Sequence, residues 1–305
     1  MKNKTEPQQE SIPPATGQLR KIQLVELQLL KELDKVCRDE NILYWIDGGT
    51  LLGAIRHGGF IPWDDDIDIC MPRNELKRFL AKAHKLFPDY IEIDHANIEQ
   101  DADYAIPCRI RDKRTKIIET KSTVHLNRGL FIDIIPIDSF HVSGPRRVLE
   151  ICAKVIYRYL CKLYKPQRNA TFIDKVLVMF HFLMTGLLRL KADTPIRLFR
   201  NWVRKRFIYR PFNDETNGDL GYGFDVYWKR IFKKNDIFPL QRIKFESIEV
   251  NAPHRPENVL PIFYGSSYMQ PPPIDKRNTH HFSTVIFDTD ITQKYYIKQK
   301  TPYDA

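Results

Sequence analysis

Residues 44–69 read Tyr-Trp-Ile-Asp-Gly-Gly-Thr-Leu-Leu-Gly-Ala-Ile-Arg-His-Gly-Gly-Phe-Ile-Pro-Trp-Asp-Asp-Asp-Ile-Asp-Ile, a Gly-Gly turn followed closely by a cluster of carboxylates. The alternation Asp66-Ile67-Asp68-Ile69 has the period of a β-strand, which predicts both carboxylates on one face and both isoleucines on the other. Two like charges side by side repel unless a cation lies between them, and hard oxygen ligands suit Mg²⁺ or Mn²⁺. The stretch therefore points to metal-assisted chemistry on phosphate.

Other residues extend this pattern. Asp133 sits between isoleucines in Leu-Phe-Ile-Asp-Ile-Ile, and an acid in an apolar strand is costly to bury unless it is paired or metal-bound. Beside the Asp66 and Asp68 strand it would be a third ligand; on a solvated edge it would be structural. Gly48, Gly49 and Thr50 can bring backbone N–H groups to a phosphate, because a Cβ at either glycine would obstruct the approach. Arg56 and His57 can clamp phosphate or base, the guanidinium offering a planar fork. Arg109, Arg111 and Lys113 alternate on a predicted strand, which gives either three cations facing the donor phosphates or a solvated edge. His254, His280 and His281 are irregularly spaced and are read as surface or acceptor-binding residues.

The positioning elements follow from periodicity. Residues 17–39 carry Ile22, Val25, Leu29, Leu33 and Val36 at three-to-four spacing, the signature of an amphipathic helix packed on a sheet. Strands are predicted over 42–47, 60–68, 90–94, 105–110, 115–120, 129–136 and 242–250, with an edge strand over 282–287. Helices are predicted from Thr50 to His57, over 75–87 with Asn74 as cap, and over 255–263. Residues 144–210 change character to apolar and basic helical segments, an insertion suited either to capping the core or to meeting an acceptor or membrane face. Within it, residues 176–188 are too short to span a bilayer, which needs about 20 apolar residues, and read as a buried helix or a membrane-surface helix, the buried one favoured. Residues 211–223 read as a turn-rich loop.

The 305 residues carry 48 Lys and Arg against 38 Asp and Glu, a net charge of +10 that favours polyanionic partners. The first fifteen residues are polar with three prolines and read as a flexible tail, giving an expectation of a cytoplasmic protein. Five cysteines without paired short spacing argue against a disulfide framework, and Cys152 and Cys161 read as core thiols. Asn169-Ala170-Thr171 is a chance glycosylation sequon. The basic residues are spread without a nucleic-acid-binding motif, so no nucleic acid is expected as a partner.

The blocks Trp45-Ile46-Asp47-Gly48-Gly49-Thr50-Leu51-Leu52-Gly53, Arg56-His57-Gly58, Ile61-Pro62-Trp63-Asp64-Asp65-Asp66-Ile67-Asp68, Phe131-Ile132-Asp133-Ile134, and Tyr264-Gly265 through Met269-Gln270-Pro271-Pro272 resemble the LicD family of phosphocholine transferases. That family also includes fukutin and fukutin-related protein. The resemblance runs from about Leu24 to His281 and is weakest over 144–210. It implies an α/β (α+β) fold with a nucleotidyltransferase-type mixed sheet flanked by helices and a helical insertion. The parts would be a tail (1–16), a catalytic core (17–143), the insertion (144–210), a part completing the domain (211–290) and a second tail (291–305).

It further implies Mg²⁺, or Mn²⁺, held by Asp66, Asp68 and Asp133, with Asp65 a solvated turn acid and Asp47 a support for the glycine turn. The reaction implied is transfer of phosphocholine or a related phospho-alcohol from a CDP-linked donor to a glycan or glycolipid hydroxyl, lipopolysaccharide or teichoic acid, with release of CMP. The alternatives are ribitol-phosphate or glycerol-phosphate transfer, and a true nucleotidyltransferase that releases pyrophosphate. Peripheral contact with the inner membrane face is part of the same expectation.

Overall fold

The computed structural model describes residues 12–83, 85–95, 108–118, 129–164, 172–189, 191, 194–203, 205–206, 218–224, 226, 230–277 and 284–287. In chain order the elements are α1 (Gly17–Asp39), β1 (Trp45–Ile46), α2 (Gly48–His57), β2 (Asp68–Pro72), α3 (Arg73–Ala83), β3 (Ile91–His95), β4 (Cys108–Asp112), β5 (Thr115–Ile118) and β6 (Phe131–Phe140). They continue with α4 (Pro145–Tyr164), α5 (Phe172–Leu187), α6 (Thr194–Val203), β7 (Asp219–Tyr222), β8 (Ile231–Phe232), α7 (Lys234–Ile237), β9 (Gln241–Phe245), β10 (Ile248–Ala252), α8 (Pro256–Tyr264) and β11 (Thr284–Phe287).

The central strand is β6, a run of apolar residues buried almost throughout. Such a strand needs cover on both faces. One edge pairs in parallel with β2, from Asp68 opposite Asp133 to Pro72 opposite Ile137. The other edge pairs antiparallel, first with β4 and then with β7. Strand β1 extends the sheet beyond β2, β3 extends it beyond β4, and β8 pairs with β7. The α/β architecture with a mixed sheet is thus present.

Helix α1 has the predicted bounds, and its apolar stripe is buried at Ile22, Val25, Leu29, Leu33 and Val36. Leu29, Leu30 and Leu33 are fully enclosed, each contributing on the order of 2 kcal/mol by leaving water. The helix is latched at its start by Arg20, whose guanidinium donates to both Glu246 oxygens at 3.1 and 2.8 Å. Glu246 has φ 54° at the turn between β9 and β10. Residues 242–250 are therefore a hairpin and not the single predicted strand, because the chain reverses at Glu246 and Ser247. The same carboxylate accepts the Phe60 N–H at 3.3 Å, and the Glu246 N–H donates to Gly58 O at 2.7 Å. This one turn fixes α1 against the segment that follows α2.

Three other expectations are corrected. The strand expected over 60–68 is irregular until Asp68, because Pro62 and Trp63 form a turn closed by Asp64 N–H to Ile61 O at 2.9 Å. Only Asp68 of the two acids is in a strand. Asn74 does not cap α3, which already begins at Arg73 and ends at Ala83; its amide donates to Glu75 at 3.1 Å. Within the predicted loop 211–223, Asp219–Tyr222 form β7, since the antiparallel partner β6 is available to them.

The helices α4, α5 and α6 leave the sheet after β6 and return to it at β7, its neighbour, so they form an insertion between paired strands. Buried Lys154 ties α4 to the sheet through Gly223 O and Val226 O, and Glu150 accepts the His141 N–H at 2.8 Å. Helix α5 is not the buried helix expected. Val176, Met179, Phe180, Leu183 and Leu187, at three-to-four spacing, face outward, Met179 at 67% and Leu187 at 75% exposure. Cys152 is exposed on α4, not in the core. The Cys161 side chain, the 169–171 sequon, Arg204, His280 and His281 lie outside the described residues.

Candidate active site

The parallel ladder puts Asp68 and Asp133 opposite one another, which decides between the neighbouring-strand and solvated-edge readings of Asp133. The Asp133 N–H donates to Ile67 O at 2.9 Å. Asp68 is anchored on its other edge: its N–H donates to the Thr50 hydroxyl at 2.9 Å, and its carbonyl accepts the Asp47 N–H at 3.0 Å. Thr50 thereby positions an acid with its side chain. Asp64, Asp65 and Asp66 lie in the preceding loop, each offering a carboxylate oxygen within 4.8 Å of the others. The loop is held by α1, where Gln23 donates its amide to Asp64 O at 2.9 Å. Asp65, expected to be a solvated turn acid, is 1% exposed.

So many buried acids raise each other's affinity for protons. Burial pushes the Asp68 carboxyl well above the usual range, and the charges of Asp66 and Asp133 push it further. Burial raises Asp133 too, against the opposing pull of Arg109, whose Nε donates to Asp133 Oδ1 at 2.7 Å. Converging hard oxygens whose ionised forms are disfavoured without a counter-charge fit a divalent cation such as Mg²⁺ or Mn²⁺.

Beside the acids opens a cavity of about 580 Å³ lined by Gly49, Arg56, Trp63, Asp66, Asp68 and Tyr264 among others. Gly48, Gly49 and Thr50 form the first turn of α2, where N–H groups lack intrahelical acceptors. Gly48 has φ 50°, and a Cβ at Gly49 would stand 2.6 Å from Asp64 Oδ2. Glycine is required here because backbone and acid approach so closely. Arg56 and His57 end the same helix. Arg56 donates through Nη1 to Tyr268 O at 3.0 Å and through Nε to His57 Nε2 at 2.9 Å. Burial, then the nearby Arg56 and Arg277 charges, lowers the His57 ionisation to about 4. The imidazole is therefore neutral at ordinary pH and accepts from Arg56. Trp63 carries Arg56 and Arg277 over its ring, at 5.8 and 5.0 Å from the centroid.

The predicted cationic strand face is redistributed. Arg109 faces Asp133, whereas Arg111 is buried, with Nε donating to Asp94 at 2.9 Å and Nη1 to Gly129 O at 3.1 Å. Both guanidinium groups lie over Phe131. Lys113 is in the turn after β4, since that strand ends at Asp112. Asp47 is wholly buried and accepts the Tyr222 hydroxyl, in keeping with support of the glycine turn. His254 follows β10, with its N–H on Ile237 O, and does not line the cavity.

Sequence reasoning assigned no role to Tyr264, Trp63 or Glu26. The Tyr264 hydroxyl is 3.8 Å from the Cβ position of Gly49, and burial with the Asp64 charge keeps it protonated. Only its place in the Tyr264-Gly265 block marked it. Glu26 carried a signal in its spacing: it falls four residues after Ile22 and three before Leu29, on the buried stripe of α1.

The glycine-opened helix, the acidic loop and the paired strands β2 and β6 all fall within one stretch that is similar to a known family. Residues 41–139 match the family model described as LicD/FKTN/FKRP, nucleotidyltransferase domain. It is 28% identical over 281 residues to the lipopolysaccharide cholinephosphotransferase LicD of Haemophilus influenzae, covering 86% of this chain and 96% of the relative. A shorter stretch of 28 residues is 61% identical to the human ribitol 5-phosphate transferase FKRP, covering 9% of this chain and 6% of that protein. Another of 42 residues is 57% identical to an uncharacterized protein of Rickettsia prowazekii, covering 14% and 16%.

Proposed function

We propose that this protein is a transferase that moves a phospho-alcohol, phosphocholine foremost, from a CDP-linked donor to a hydroxyl of a cell-surface glycan, releasing CMP. The observation that carries this reading is the cavity in which Asp64, Asp66 and Asp68 face Gly49 and Arg56, acids for a cation set against groups for a phosphate. The relatives support it, since one is named for cholinephosphate transfer to lipopolysaccharide and another for ribitol 5-phosphate transfer.

Asp66, Asp68 and Asp133 would hold Mg²⁺ or Mn²⁺. When bound, such a cation neutralises the donor pyrophosphate and the charge that develops on departing CMP. The chain's own groups do the positioning: the first-turn N–H groups of α2 and the Arg56 fork orient the phosphates, and neutral His57 fixes Arg56 through its Nε. Arg109 keeps the Asp133 carboxylate from closing on its neighbours. Positioning of this kind supplies much of the acceleration in phosphoryl transfer.

A second reading concerns where the acceptor is met. The outward apolar stripe of α5 is bordered by exposed Lys175, Arg189 and Lys191, and no described helix is long and apolar enough to cross a membrane. Such a surface suits the interface of an anionic bilayer, which supports the reading that a glycolipid acceptor is met there.

The test is to incubate the purified protein with Mg²⁺, a lipopolysaccharide or teichoic acid acceptor and a panel of CDP-choline, CDP-ribitol and CDP-glycerol. CMP release and acceptor labelling with one of them is expected. Absence of both with every donor would overturn the reading.

A further inference from the structure

Among the described residues, Glu26 stands apart from the other buried acids. It is 0% exposed, and neither carboxylate oxygen has a hydrogen-bond partner among the described residues. Buried Asp34, by contrast, is held by Tyr44, Arg38 and Arg242, and buried Asp138 by Arg73 and the Phe224 N–H. A carboxylate removed from water without a partner is among the costlier things a fold can contain.

The surroundings say what would offset that cost. Burial pushes the Glu26 carboxyl well above the usual range, and the charges of Asp66, Asp65, Asp64 and Asp133 push it further. Gln23, one turn earlier on the same helix, touches the carbonyls of Ile61 and Asp64, which brings this stretch of α1 against the acidic loop. The helix is fixed by Arg20 on Glu246, so the approach is set by the fold and not by a mobile side chain. A neutral carboxylic acid would donate its proton to one of these acids, yet neither oxygen makes a hydrogen bond. Glu26 is thus an unpartnered acceptor one turn along α1 from the contact with that loop, whose Asp64, Asp65 and Asp66 carboxylates converge within 4.8 Å of one another.

We propose that Glu26 is a further cation-binding carboxylate of the active centre, supplied by α1 from the protein interior. Neither Glu26 nor Asp133 lines the cavity, whereas Asp64, Asp66 and Asp68 do. The cation would then be held between an inner pair, Glu26 and Asp133, and the outer acids that meet the donor. An inner carboxylate would let the centre take up the cation before the donor arrives. This inference rests on the metal-dependent reading given above.

The experiment is calorimetric titration of Mn²⁺ into the full chain without donor, comparing wild type, Glu26→Gln and, as a control, Glu249→Gln, which alters an exposed acid on β10. Circular dichroism in metal-free buffer reports the folding of each. Affinity should fall about tenfold or more in Glu26→Gln and stay unchanged in Glu249→Gln. Where the amide disturbs folding, Glu26→Met, an apolar chain of similar length, is titrated instead with the same expectation. Wild-type affinity in the folded Glu26 variant overturns the role of Glu26 alone. No Mn²⁺ binding by the wild type overturns the metal reading together with it.

Discussion

At the scale of single residues, Asp68 and Asp66 do opposite things for stability and for function. Each is buried or half-buried among like charges, so replacing one by its isosteric amide removes repulsion while keeping shape. Asp68→Asn and Asp66→Asn should abolish turnover, yet in metal-free buffer their unfolding free energy should hold or rise by up to about 1 kcal/mol. Enzyme assay and thermal melting measure the two effects, and near-normal activity in both variants would contradict the site. Gly49→Val is expected to act through Asp64, whose Oδ2 lies 2.6 Å from the new Cβ. Turnover should fall on the order of a hundredfold as the acid is displaced. Unchanged donor affinity and rate would remove the α2 turn from the site.

His57 gives a pH signature with a definite sign. Its folded ionisation is lowered to about 4 from an ordinary value of 6.5, so the unfolded chain binds the proton more readily. Its contribution is present above about pH 6.5 and is lost as pH falls toward 4. Melting wild type and His57→Gln from pH 7.5 to 4.5 should show the variant losing less stability over that window. Parallel curves would mean that Arg56 and burial do not hold the imidazole neutral.

Much of this residue pattern is legible in the chain because the relevant periods are local. The alternation around Asp68 and Asp133 is enough to put both in strands, but their pairing is set by the β2–β6 register, which the alternation does not give. The loop carrying Asp64, Asp65 and Asp66 is not legible in the same way, because Pro62 and Trp63 interrupt an otherwise strand-like run. Arg111 alternates with Arg109 on one strand face, but Asp94 on the neighbouring strand claims it, a partner that only the β3–β4 register reveals. Tyr264 reaches Gly49 from α8 across most of the chain.

At the scale of elements, the period fixed α1 to the residue but misjudged α5. An apolar stripe tells a helix to leave water without saying what will cover it, and α5 turns its stripe outward. A flotation assay with anionic vesicles in low salt examines that face. Wild type is expected to float, and replacing Met179, Leu183 and Leu187 by Gln should leave most of the protein in the soluble fraction with the helix content intact. Higher salt should weaken flotation of the wild type through Lys175, Arg189 and Lys191. Equal flotation of both proteins, or none by either, would contradict the membrane role of α5.

At the scale of the whole molecule, the sheet, α1 and the β9–β10 turn act as one frame. Glu246 joins Arg20, Phe60 and Gly58, so the hairpin holds α1 and the post-α2 segment in the register that lets Gln23 grip the acidic loop. Net charge of +10 surrounds a centre that is locally acidic. Under the proposed function, that contrast would let the surface draw in a polyanionic donor while the acids held a cation to receive it.

The central claim is that the bond broken in the donor lies on the alcohol side of the pyrophosphate bridge. Phosphorus NMR of a reaction containing CDP-choline, Mg²⁺ and a glycan acceptor follows that bond directly. The account predicts that CMP appears together with a phosphodiester on the acceptor, and that both signals vanish with Asp68→Asn. A reaction run with CTP and a phospho-alcohol that yields pyrophosphate, while CDP-choline gives no CMP, would contradict it and make the protein a nucleotidyltransferase in activity.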